Sequence, residues 1–168
     1  MKKIIGIIAG EPNSISSEII FKSWKLVKKN KLNNFIVIGS IKLLSMQKKK
    51  LEYNIPISEI KNDFTLSNVK KKKLFVLNVD YNQKKPFDNI STKSNKYIFN
   101  CFNVAIDLIN KQKISGIINC PVSKETLFKG KKVGRIRTYH FPFTKNYSFM
   151  QKIAKKGFIH TKIKKNGI

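Results

Sequence analysis

A parallel-rich sheet covered by helices on both faces, an α/β fold, is what this chain predicts, and three observations predict it. Continuous rather than alternating apolar runs recur at Lys3–Ala9, Phe35–Gly39, Leu74–Val79 and Ile114–Asn119, the pattern of strands buried on both faces. Amphipathic helical patterns separate those runs. A length of 168 residues with 41% hydrophobic content can bury the core of one domain, or of one part of a larger one.

The N-terminal ten residues could imitate a signal peptide, but their apolar run is short and meets Glu11-Pro12 without a small-residue cleavage pattern. They read as the first strand. The turn that follows, Ala9 to Ser14, holds Gly10 for a tight exit, the Glu11 carboxylate, and Pro12 ahead of a helix. The helix beyond it offers free N–H groups to a phosphate or carboxylate. It is no GxGxxG fingerprint, so the glycines that admit a pyrophosphate are lacking. The first helix, Ser14–Asn30, places Ile15, Ile19, Ile20, Trp24 and Val27 near one face. Glu18 in its first turn and Lys28 and Lys29 in its last match the helix dipole. Ile41–Leu51 is a shorter second helix. In Thr92–Gln112, the clearest helix, Ile98, Phe99, Phe102, Ala105, Ile106 and Ile109 form one apolar stripe. Right-handed βαβ units then place the strand-to-helix turns along one sheet edge, where ligands of open α/β sheets bind. No run is long enough to span a membrane.

The last of those turns, Asn119-Cys120-Pro121-Val122-Ser123-Lys124, is stiffened by proline and carries an amide, a hydroxyl and a lysine. Two readings stand. Lys124 is a point charge for a substrate phosphate or carboxylate, or the segment is an ordinary connection with Ser123 as helix N-cap and Lys124 facing solvent. Cys101 and Cys120 have no metal-ligand spacing and suit a reducing cytoplasm.

The formal charge of +26 raises the question of nucleic acid, since lysines neutralising phosphates bind strongly at low salt. Three details point instead to a solvated surface. Arg135 and Arg137 are the only arginines, whereas base-edge readout favours guanidinium. The lysines fall in runs such as Lys48-Lys49-Lys50 and Lys70-Lys71-Lys72-Lys73 rather than in a stripe interleaved with aromatics. Lys, Asn, Ile and Phe are all abundant, as AT-rich coding sequence produces without selection for binding.

Gly10-Glu11-Pro12 followed by Ser17-Glu18-Ile19 resembles the GDPxGIGPE opening of the 4-hydroxythreonine-4-phosphate dehydrogenase family. Ser91, Ser94, Tyr97, Ile98, Ala105, Ile106, Leu108, Ile109, Gly116, Ile117, Ile118, Pro121, Val122 and Lys124 resemble the family's next block, SxxSxxYI…AIxLI…GIIxxPVxK. The resemblance covers roughly residues 1–134, with both motifs in order. It implies a fold like that of isocitrate and isopropylmalate dehydrogenases, of which this chain holds the first half. It further implies a cytoplasmic homodimer in pyridoxal phosphate biosynthesis. The implied reaction is NAD-dependent oxidation and decarboxylation of 4-phosphooxy-L-threonine, assisted by a divalent metal acting as Lewis acid. By motif position, the cleft turn is Gly10, Glu11 and Pro12, and the substrate side is Asn119, Pro121, Ser123, Lys124 and Thr138.

The chain also departs from the family pattern. Asn13, Ser14, Ser16 and Ser17 replace glycines and proline after the first turn, and Gly134-Arg135-Ile136-Arg137-Thr138 stands where a Gly-His-Thr-Glu motif belongs. The family's metal-binding histidines have no counterpart; His140 and His160 stand in no matching motif and read as non-ligands. Residues 135–168 hold both arginines and both histidines, no acid, and no sustained period. The expectation is therefore an N-terminal α/β part over 1–134 and a basic tail over 135–168 left by a frameshift or premature stop, with weak or absent activity. The alternative is a non-catalytic basic α/β module binding nucleic acid or an anionic partner.

Overall fold

The computed structural model describes residues 4–30, 34–65, 67, 69, 73–127 and 129. The expectations for Thr138, His140, His160 and the tail lie outside these residues. The elements are β1 (Ile4–Ile8), α1 (Ser16–Asn30), β2 (Asn34–Gly39), α2 (Ile41–Lys50), β3 (Ile57–Ile60), β4 (Leu74–Asn78), a 3₁₀ turn (Thr92–Ser94), α3 (Asn95–Asn110), β5 (Gly116–Asn119) and a single helical turn, α4 (Lys124–Leu127). The five strands form one sheet in the order β3-β4-β2-β1-β5, every pairing parallel. The predicted α/β class is the one the chain adopts.

Burial explains why the strands read as unbroken apolar runs. Ile7, Ala9, Val37, Leu74 and Val76 join Ile20, Phe21 and Trp24 of α1 and Leu44 of α2 in one core cluster. The alternate residues Ile8, Ile36 and Ile38 are fully buried as well, on the face toward α3, which inserts Tyr97, Ile98, Cys101, Phe102, Ala105, Leu108 and Ile109. Two hydrophobic layers on one central sheet result.

Two expectations change. Ile15 and Ile19 are 63% and 37% exposed; α1 starts only at Ser16 and turns Ile20, Phe21 and Trp24 to the sheet, with Phe21 packed on Tyr53. β3 was hidden because it is an edge strand, Ile57-Ser58-Glu59-Ile60, with only Ile60 buried, so its sequence need not be continuously apolar.

Candidate functional site

The chain runs from β1 to β2 on one side and returns through α3 to β5 on the other. Such a reversal opens a crevice at the carboxyl ends of the two strands concerned. The turns after β1 and β5 meet there. The Glu11 amide donates to the Pro121 carbonyl at 2.9 Å, and the Ser16 hydroxyl donates to the same oxygen at 3.3 Å. Gly10 makes the approach possible: its φ is +73°, and a Cβ on it would stand 2.6 Å from the Pro121 carbonyl oxygen and 2.8 Å from that of Cys120.

That space is filled by backbone, so the turn is no cradle for a dinucleotide pyrophosphate. Glu11 and Pro12 are both buried. The segment Asp80–Ser91 straps them in place. The Asn13 carboxamide oxygen accepts from the Gln83 side chain and the Asp88 amide, each at 2.9 Å, and its nitrogen donates to the Asn89 carbonyl at 3.3 Å. Gln47, buried on α2, donates to the carbonyls of Pro12 at 2.6 Å and Pro86 at 2.9 Å. Asn13→Ala removes three of these bonds and is expected to destabilise the protein by about 1–3 kcal/mol, measured by urea unfolding, with earlier proteolytic cleavage within residues 80–91.

Asn119, Pro121 and Lys124 are exposed at the end of β5, and Ser123 is half-buried. Ser123 does cap α4: its hydroxyl accepts from the Thr126 amide at 3.3 Å and donates to the Thr126 hydroxyl at 2.9 Å. Asn119 folds back to donate to the Cys120 carbonyl at 3.2 Å. Asn95, at the start of α3, donates to the carbonyls of Thr126 and Leu127 at 3.1 and 3.4 Å and so ties α4 to the body. Burial pushes the Cys120 thiol up to about 11 and the Cys101 thiol up to about 12, so both stay protonated at neutral pH.

Among the described residues no group of three or more His, Cys, Asp or Glu comes together. They do not fit a catalytic metal, and no helix among them is long and apolar enough to cross a membrane. The hydrogen-bonding roles of Asn13, Gln47 and Gln83 at the strap escaped the sequence reading. Only Gln47 left a trace, as a polar residue on the same helix face as Leu43 and Leu44.

The model of the family described as "Pyridoxal phosphate biosynthetic protein PdxA" matches residues 31–147. This chain belongs to that family. It is 26% identical, over 125 residues, to the 4-hydroxythreonine-4-phosphate dehydrogenase of Sulfurihydrogenibium sp. (strain YO3AOP1), covering 74% of this chain and 37% of that one. Among solved structures it superposes on the 4-hydroxythreonine-4-phosphate dehydrogenase of Burkholderia phymatum with a TM-score of 0.65 at 21% identity, over 81% of this chain and 42% of the other. The corresponding enzyme of Klebsiella pneumoniae gives 0.62 at 20%, over 78% and 41%. The chain spans less than half the length of these relatives, and what it shares with the solved family members is part of their isocitrate/isopropylmalate dehydrogenase-like fold.

Proposed function

We propose that this chain supplies the substrate-side strand ends of an NAD-dependent dehydrogenase acting on a phosphorylated hydroxy-amino acid. The names of the relatives above point to 4-phosphooxy-L-threonine, while relatives from Clostridium botulinum, 26% identical over 133 residues, are named "Putative D-threonate 4-phosphate dehydrogenase"; we take the first as the substrate to test. What carries the reading is the meeting of the β1 and β5 turns at the sheet's reversal, within a family member, with Asn119 and Lys124 exposed beside them. Lys124 is assigned to the substrate's phosphate or carboxylate as a point charge, and Asn119 to a hydrogen bond with the same ligand. Ser123 and Pro121 act by shaping the turn, the first as a cap and the second through its carbonyl; Thr138 is added from motif position. Gly10, Glu11 and Pro12 form the crevice wall.

By family resemblance, NAD would accept a hydride from the substrate's secondary alcohol in the complete enzyme and a divalent metal would supply Lewis-acid chemistry. The described residues bring together no metal-ligating group, so the part assigned to them is binding and orientation of the substrate. A cytoplasmic homodimer is the proposed setting. Family membership lends no support to the rival reading of a non-catalytic basic module.

Calorimetric titration with 4-phosphooxy-L-threonine tests the assignment. Binding that weakens at least about tenfold, or about 1.4 kcal/mol, in Lys124→Ala is expected; no binding, or an unaffected variant, overturns it. With NAD and added divalent metal, NADH formation by these 168 residues is expected to stay near background. Robust turnover would show that the catalytic groups are present after all.

A further inference from the structure

Ser17, in the first turn of α1, is 3% exposed, and its hydroxyl has no hydrogen-bond partner among the described residues. A buried hydroxyl left alone is rare, because it forfeits the bonds that solvent gave it and gains none in return. The same serine lines a cavity of about 10 Å³ against the Glu11–Pro12 turn. Every residue around that cavity is buried. Its volume is at the lower bound for one water molecule and admits nothing larger.

The other polar side chains on the wall are Glu11, Ser16, Gln47 and Tyr97, and each has bonds elsewhere. The Ser16 hydroxyl is engaged with the Pro121 carbonyl and the Ser14 hydroxyl. The Tyr97 hydroxyl accepts from the Ser40 amide at 3.0 Å. Both amide protons of Gln47 go to carbonyls, those of Pro12 and Pro86, so what Gln47 has left to offer is its own carbonyl oxygen. Glu11 receives the Ser94 hydroxyl and the Asn13 amide, and a carboxyl has more acceptor sites than two donors fill. The wall therefore presents one free hydroxyl, on Ser17, and two oxygens able to accept.

We propose that this cavity is a binding site for a single water molecule, held by Ser17, Glu11 and Gln47. The proton count closes. The Ser17 hydroxyl donates to the water, and the water's two protons go to the Glu11 carboxyl and the Gln47 carbonyl oxygen. Three partners are the usual number for a buried water. The water joins α1, the β1 turn and α2 at the one point where Ser17 finds no protein partner, and so fixes the Glu11 side of the crevice wall. A cation is the poorer occupant, because hard cations take about six or more oxygen ligands and this wall offers three. The inference rests on the cavity and its hydrogen-bond accounts and is independent of the proposed substrate.

A crystal structure of the full chain that shows ordered water, from crystals grown with thallium(I) as the monovalent cation, tests the site. Density is expected within about 3.2 Å of Ser17 Oγ, a Glu11 carboxyl oxygen and Gln47 Oε1, with no anomalous signal from thallium. An empty cavity, with the Ser17 hydroxyl turned to a helix carbonyl, overturns the proposal. A thallium peak does so too, since it marks a cation site. In solution, oxygen-17 relaxation dispersion counts long-lived buried waters. Ser17→Val, which removes the donor and fills the space with a methyl group, should lose one such water relative to the native protein, and an unchanged count sinks the assignment. Should that variant not fold, the native crystal alone decides.

Discussion

Gly10→Ala is expected to pull the two strand-end turns apart and to cost the protein about 2–5 kcal/mol. The left-handed conformation at φ +73° contributes about 1–2 kcal/mol once a Cβ is present. The rest, about 1–3 kcal/mol, comes from overpacking, because the atoms in the way are the backbone oxygens of Pro121 and Cys120, which cannot rotate aside as a side chain would. Displacing them breaks the Glu11–Pro121 and Ser16–Pro121 bonds together. Urea unfolding gives the stability loss, and the same variant should lose affinity for the phosphorylated ligand through the displaced Asn119 and Lys124. Ser16→Ala, which deletes one of the two bonds without strain, should cost only about 1 kcal/mol. Equal effects in the two variants would mean that the turns are not held by close backbone approach.

The other large effect is expected at Phe21. This ring is fully buried between α1 and the sheet, with its centroid 5.2 Å from that of Tyr53, over which Lys25 Nζ stands at 4.7 Å. Phe21→Ala leaves a cavity in the middle of that cluster and should destabilise by about 3–5 kcal/mol, a large fraction of the roughly 5–15 kcal/mol typical of a domain. Trp24, the single tryptophan, lies in the same cluster, so its fluorescence reports the unfolding midpoint directly. On the same helix Leu26 is 57% exposed, and Leu26→Ala should change stability by no more than about 0.5 kcal/mol. A Leu26 effect as large as that of Phe21 would mean that the helix is rotated from the orientation described.

The contrast between Phe21 and Ile19 marks the limit of what periodicity can say. Both fit an apolar stripe, but which of two adjacent stripes faces inward depends on Tyr53 and the neighbouring α2, neither of which is local to α1. Four strands and three helices were legible because each carries its own repeat. β3 was not, since an edge strand has only one face to bury and two polar residues interrupt its four. At the site, the sequence placed Ser123 between a substrate-side and a capping reading, and its bonds to Thr126 make it a cap of α4. The bond between Gln83 of the strap and Asn13 had no legible signal because the two are remote, 70 residues apart.

By itself the sequence determined the fold class, the parallel sheet and the two turns that belong at its carboxyl edge, because apolar period and turn chemistry are local properties. It also carried the family motifs. Only the tertiary structure decided that Gly10 lets the β1 turn approach the β5 turn closely, that Glu11 is buried beneath a strap, and that Pro121 is the joint between β1 and β5. Those outcomes depend on which strand lies beside β1. The chain settles that only when α3 carries β5 back across the sheet, and the Ser16–Pro121 bond that results joins residues 105 positions apart.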